Sequence, residues 1–181
     1  MVERKEQIVR EALAVADAQG LAAVSMRAVA ARVGVTPMAL YRHVASKEEL
    51  LDGVVELLLA ELVIPPLTEP WEDRLRALGA EVRALARRHP TAVVLILERP
   101  GHTPAARLRV GAIQQVLRDA GLVGYGVERL ERLLSTFVVG FALSEVAGRF
   151  EGATEAELDI EFGRDVADLT ELVRSAVARP A

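Results

Sequence analysis

At 181 residues the chain is long enough for one domain or two small ones, and for a core that needs no disulfide or metal to hold it. It has no cysteine, which excludes disulfides, thiolate catalysis and Cys-type zinc sites together. The formal net charge of −4 divides unevenly: residues 1–47 hold seven basic and four acidic side chains, net +3, and residues 48–181 hold fifteen and twenty-two, net −7. A slightly basic head on an acidic body suits a nucleic-acid-binding module joined to a separate body. Only Lys5 and Lys47 are lysine, and the dominance of arginine is explained by codon bias. With aromatics at 4% and Ala, Leu, Arg, Val and Glu abundant, helices are expected throughout.

The first helix is predicted from about Glu3 to Gln19, with Ile8, Ala12, Leu13, Val15 and Ala16 at helical spacing and Gly20 ending it. The charged, amphipathic N-terminus does not read as a signal peptide. Leu21 and Val24 are expected to fill a small core. Ser25 caps a second helix whose inward side carries Val29, Ala30 and Val33. Gly34 sits where the helix ends and the backbone turns left-handed. Thr36 is an N-cap and Pro37 suits the first helical position, where its missing N–H needs no partner. The third helix runs to about His43 with Leu40 and Val44 inward. Thr36, Met38, Ala39, Arg42 and His43 are left outward. Two short helices around a glycine turn are the helix-turn-helix arrangement, whose second helix enters the DNA major groove.

Ser46 and Glu49 form a capping box for a fourth helix, expected to continue to residue 64, where Pro65 and Pro66 stop it. Its apolar run is too short and too charged to span a bilayer. Beyond it, a fifth helix spans Trp71 to Arg88, with Leu75, Leu78, Val82 and Leu85 as its stripe. Pro90 opens a short helix with an apolar run at Val93–Leu97. Residues 99–103 read as a loop, with His102 solvated. Thr103–Pro104 starts a seventh helix carrying Leu108, Ile113, Val116 and Leu117. After Gly121, Gly124 and Gly126, an eighth runs from Val127 to Gly148 with Leu130, Leu133, Leu134, Phe137, Val138 and Phe141. Thr154 and Glu157 box the start of a ninth, whose stripe is Leu158, Phe162, Val166, Leu169, Val173 and Val177. The acidic residues read as solvated helix faces, and no glycine loop, G-x-S-x-G or H-E-x-x-H points to catalysis.

The string G-V-T-P-x-x-L-Y-x-H-V from Gly34 to Val44, followed by S-K-E-E-L-L at 46–51, resembles the DNA-binding domain of the tetracycline-repressor (TetR) family over roughly residues 3 to 63. The second half is similar to the tetracycline repressor's own subfamily, through W-x-x-R-L-x-x-L at 71–78, R-H-P at 88–90, L-E-R-P at 97–100 and F-V-V-G-F-A-L-S-E at 137–145. The resemblance implies an all-α fold of about nine helices. An N-terminal three-helix helix-turn-helix DNA-binding head (1–47) would be linked by helix 48–64 to a C-terminal helical ligand-binding and dimerisation body (65–181). The last two helices of each subunit would form a four-helix dimer interface, for which the Phe137–Gly148 and Leu158–Val177 stripes are candidates, although both stripes also fit plain intramolecular core.

For DNA, Thr36, Pro37, Met38 and Ala39 open the recognition helix, where they can reach base edges and thymine methyls. Arg27 matches a family position that reaches a base. Tyr41, His43 and Lys47 match phosphate contacts, with Ser25 a further candidate, and Arg42 falls where the family has no fixed residue. For a ligand, Leu58, Val82, Leu85, Leu95, Ile113, Phe137 and Phe141 are candidate walls, with Gln114, Ser135 or Ser144 as polar handles. Each of these apolar residues also fits plain core, since ligand pockets are themselves apolar with few polar groups. The tetracycline repressor uses histidine near the short helix to hold a magnesium–drug complex; Val93–Leu97 has none, so neither a metal site nor a cofactor is expected. The chain therefore reads as a cytoplasmic, homodimeric repressor, not an enzyme, released from a palindromic operator of double-stranded DNA by a small apolar or drug-like ligand. Two other readings stay open: a DNA-binding regulator without an inducer, and a ligand-binding bundle with a vestigial head.

Overall fold

The computed structural model describes residues 2–99 and 103–178, all of it helix, turn and loop, so the expected site of His102 lies outside the described residues. The helices are α1 (Val2–Gln19), α2 (Met26–Val33), α3 (Pro37–Leu40), α4 (Lys47–Ala60), α5 (Trp71–Arg88), α6 (Leu95–Glu98), α7 (Pro104–Asp119), α8 (Tyr125–Val146) and α9 (Glu155–Ala178), with a 3₁₀ turn at Leu21–Ala23. No helix among the described residues is long and apolar enough to cross a membrane. The chain forms two compact units: Met1–Glu61 with Arg88–Ala106, and Leu62–Arg87 with Arg107–Ala181.

In the first unit α1 packs on α2 and α4. Ile8, Ala12, Val15, Val24, Val29, Leu40, Val44, Leu50 and Leu58 are fully buried, an apolar set gathered from four helices and the turns between them. Gly20 and Gly34 both have positive φ, 85° and 74°, which ends α1 and α2 without the penalty a Cβ would bring. Leu21 is only half-buried, whereas Val24 fills the core as expected. The tail of this unit is pinned by polar contacts. His89 Nδ1 lies 2.8 Å from Asp17 Oδ2 and its Nε2 lies 3.2 Å from Glu61 Oε2. Thr91 donates to the Ala16 carbonyl, and Arg99 bonds Asp52.

α4 ends at Ala60, short of the expected residue 64. Pro65 has no N–H for the Glu61 carbonyl and disfavours helical backbone at Ile64, so the last helical bonds close a turn earlier. The regular part of α6 is likewise shorter than its apolar run, and Leu97 is exposed.

The second unit has two apolar clusters. Leu75, Leu78, Val116, Leu117, Leu122, Val127, Leu130, Leu134 and Val173 form one, drawn from α5, α7, α8 and α9. Phe141, Phe162 and Val166 form the other, with Phe137, Val138 and Phe150 against it. Leu108, Leu133 and Val177, expected in apolar stripes, are exposed. Leu158, Phe162, Val166 and Val173 are buried within the single chain, so of the two readings the sequence left open for this stripe, interface or intramolecular core, these four residues take the second. The outward residues of the same helices include Thr136 and Gly140 on α8 and Ile160, Gly163 and Ala167 on α9.

The acids are not all solvated faces. Glu131 is buried, accepting from Ser135, and Glu145 on α8 is half-buried against Arg83 and Arg87 of α5. Arg83 bonds Glu145 at 2.6 and 3.0 Å and Asp159 at 2.8 Å, and its guanidinium lies 5.0 Å from the Phe162 ring centroid. Arg87 adds bonds to Glu145, Glu155 and Asp159. Burial opposes ionisation of Glu145, yet the hydrogen bonds from Arg83 and Arg87 outweigh it and hold the carboxyl below its ordinary range.

Candidate nucleic-acid interface

The head presents its outward residues through two caps and one turn. Ser25 Oγ accepts from the Ala28 N–H at 3.1 Å, which starts α2 and sets Arg27 on its exposed first turn. α2 closes with the Val35 N–H bonding the Ala30 carbonyl across the left-handed Gly34, a Schellman ending. Thr36 Oγ1 then accepts from the Ala39 N–H at 3.2 Å, with Pro37 opening α3. The regular part of α3 is one turn. It continues through Arg42 and His43 in tighter bonds, Arg42 N–H to the Ala39 carbonyl and His43 N–H to the Leu40 carbonyl, before Val44 returns to the core. The expected end near His43 is thus reached as a tapering turn.

This local folding decides which side chains face out. Leu40 and Val44 are fully buried, while Met38 is 73% and Tyr41 48% exposed. Thr36, Pro37, Arg42 and Lys47 are exposed, and Ser25, Ala39 and His43 half-buried. Ser46 Oγ caps α4 through the Glu49 N–H, which places Lys47 at the first position of that helix. The Glu49 carboxylate reaches back to the Ala45 N–H and to Lys5, and these two bonds hold it below its ordinary range, that from Lys5 the stronger.

Charge pairing separates the cations of the head into two groups. Lys5 pairs with Glu49, Arg10 with Glu6 and Arg32 with Glu11, and Arg4 bonds Gln7. The side chains of Arg27, Arg42 and Lys47 make no hydrogen bond or ion pair with a described residue. Of these three, Arg42 is the one the helix pattern placed outward, and Arg27 and Lys47 stand at positions that the family resemblance assigns to DNA. Unpaired guanidinium and ammonium groups in the same helix-turn-helix segment as an exposed tyrosine (Tyr41) and an exposed helix start can meet phosphate oxygens and base edges.

The ligand candidates fall in both units. Leu58 and Leu95 are buried in the first. In the second, Leu85 and Phe141 are buried and Val82, Ile113, Gln114, Phe137 and Ser144 half-buried. Gln114 accepts from Arg118, and Phe137 and Phe141 lie 6.3 Å apart between ring centroids. The buried polar residues Arg74, Arg83 and Glu131 were not foreseen. Arg83 could have been found from its spacing: it sits four residues before Arg87, beside the apolar Val82, while Glu145 follows Phe141 by one helical turn. Among the described residues no group of three or more His, Asp or Glu is placed to hold a metal ion.

A basic helix-turn-helix carried on an all-helical chain defines a class of helical DNA-binding folds. Within it, this chain belongs to the TetR family: the model of bacterial regulatory proteins of the tetR family matches residues 8–54, and that of the tetracyclin repressor-like C-terminal domain matches residues 65–174. The HTH-type transcriptional repressor DrrR1 of Streptomyces coeruleorubidus is 34% identical over 163 residues, covering 84% of this chain, and this chain spans 58% of that relative's length. ActR of Streptomyces coelicolor, solved in complex with actinorhodin, superposes with a TM-score of 0.82 at 23% identity, covering 97% of this chain and 98% of that one. BioQ, known from Mycobacterium smegmatis and solved with its double-stranded DNA operator, gives 0.80 at 24% identity over 94% and 98%. At these identities the two structures speak for the fold alone.

Proposed function

We propose that the chain is a cytoplasmic, homodimeric transcriptional repressor that reads a palindromic operator through two copies of the head and is released by a small apolar ligand. The observation that carries the DNA reading is the set of unpaired cations, Arg27, Arg42 and Lys47, around an exposed Met38 and Tyr41. Thr36, Pro37, Met38 and Ala39 take base edges, and Arg27 takes a guanine. Tyr41, His43 and Lys47 take phosphates, and Ser25, whose acceptor is used in the cap, can still donate its hydroxyl proton to one. Arg42, exposed at the end of the recognition segment, is free to meet the DNA backbone. One head offers few contacts, so two-fold symmetry is what brings affinity and makes the operator a palindrome. The DNA-bound form of BioQ supports this use of the fold.

The body, residues 65–181, is the ligand-binding and dimerising part. ActR has been solved with actinorhodin, which supports a small-molecule role. Val82, Leu85, Ile113, Phe137 and Phe141 supply apolar wall in the second unit and Gln114 and Ser144 polar handles, while Leu58 and Leu95 stand as candidates in the first. A ligand releases DNA only by binding the two states of the dimer with different affinity.

The test is selection of genomic fragments by the purified protein, with Tyr41→Ala beside it. Recovery of one palindrome by the parent and its loss in the variant is the expected result; recovery of no preferred sequence by the parent overturns the reading. A thermal-shift panel of apolar drug-like compounds checks the ligand, since binding to the folded state alone raises Tm.

A further inference from the structure

Beside the recognition segment the head has an open groove of about 580 Å³, lined by Lys5, Glu6 and Val9 of α1, Arg42 and His43 after α3, and Gly53, Glu56, Leu57 and Ala60 of α4. It lies wholly within the first unit. Its floor is apolar because α1 and α4 cross closely there: a Cβ on Gly53 would come 2.7 Å from Val9 Cγ2. Glycine at 53 therefore lets Val9 close the floor, and Leu57 continues it one turn along α4.

The charged groups around this floor are unequal. Lys5 is held by Glu49 at 2.5 Å, and Glu6 by Arg10 at 2.5 Å. Both Glu56 oxygens accept from the Ala105 N–H, at 3.0 and 3.1 Å. Arg42 has no such partner, and His43 lies next to it. An apolar trough whose one charged side chain without a hydrogen bond or ion pair is a guanidinium complements a molecule with an apolar body and a single carboxylate, because guanidinium binds carboxylate through two parallel N–H donors. Its volume is that of a small-molecule site.

We propose that this groove binds an apolar monocarboxylate, its chain along Val9, Gly53 and Leu57 and its carboxylate on Arg42. Such a molecule draws Arg42 away from phosphate, so it weakens DNA binding at the head itself, independently of any ligand in the body; that consequence rests on the function proposed above, whereas the site does not. The experiment follows methyl resonances of Val9 and Leu57 in the full chain as dodecanoate is added below its micelle concentration, with dodecyltrimethylammonium as the cationic probe. Saturable shifts at these methyls with dodecanoate are expected. Arg42→Gln should weaken binding about tenfold or more, the scale of a charged hydrogen bond, and Arg42→Lys should recover most of it. Leu57→Glu, at a half-buried position, should abolish binding while the far-ultraviolet dichroism stays unchanged. Absence of saturable shifts, shifts confined to methyls of the second unit, tighter binding of the cationic probe, or an affinity unmoved by Arg42→Gln would each overturn the site.

Discussion

Single side chains in the head build the turn, are proposed to meet DNA, or do both, and the two roles fail differently. Thr36 and Ser25 each accept one backbone N–H at a helix start. Replacing Thr36 by alanine should lower stability by about 1 kcal/mol, read as a shift in the urea midpoint with an unchanged slope. Lys47 caps nothing and pairs with nothing described, so Lys47→Ala should leave the urea midpoint in place and weaken binding to all DNA sequences alike. Its signature is the slope of log affinity against log salt, expected to fall by about 1 in magnitude for each phosphate that the ammonium no longer neutralises. If the slope is unmoved, Lys47 does not touch phosphate. Arg27→Ala should instead relax preference at one base pair of each half-site, by about 1–3 kcal/mol, with the salt slope little changed. Capping and turn chemistry act within four residues, which is why the positions of Ser25, Gly34, Thr36 and Pro37 were legible in the sequence. The fate of each cation was not, because the partners of Lys5 and Arg32 lie 44 and 21 residues away.

Elements of the second unit are tied by an ionic cluster, shielded from water at Arg83 and Glu145, that periodicity could not reveal. An apolar stripe identifies α5, α8 and α9 as helices and places their ends within a few residues, since it depends only on a repeat of about 3.6. It does not say which charged residue beside the stripe turns inward. Arg83 is 8% exposed and Glu145 10% at their side chains because each satisfies the other. Removing one partner leaves the other buried and under-paired: Glu145→Gln is expected to cost about 3 kcal/mol, and replacing both, Arg83→Met with Glu145→Leu, to recover much of it. Thermal melts of the three proteins check this. The pH dependence follows with its sign. The folded carboxyl of Glu145 sits below its unfolded value, so it contributes stability that is fully present above about pH 4.3 and lost as pH falls through the folded value. As pH falls below about 4.3 the parent should lose Tm more steeply than Glu145→Gln. Parallel curves would show that this pair does not govern acid sensitivity.

For the molecule as a whole the proposed dimer needs a face, and the outward sides of α8 and α9 offer one. The Leu158–Val173 stripe, which the sequence offered for an interface, is consumed by the chain's own core. What remains outward at helical spacing is Thr136 and Gly140 on one helix and Ile160, Gly163 and Ala167 on the other. Two of these are glycines in helix interiors, and a Cβ at Gly140 or Gly163 meets nothing described within 4 Å. In a free monomer such glycines are a plain liability: Gly163→Ala should then raise stability by about 0.5–1 kcal/mol at no other cost. In a dimer they are explained, because small residues let helices of two copies approach closely, and a large side chain there must drive them apart. The proposed repressor requires the second case. Light scattering at micromolar concentration should give twice the chain mass for the parent and a lower mass for Gly163→Trp, whose operator affinity should fall with it because the two heads no longer bind as one. A parent of single-chain mass, or a Gly163→Trp variant that stays dimeric and more stable than the parent, places solvent on this face and removes the two-headed reading of the operator.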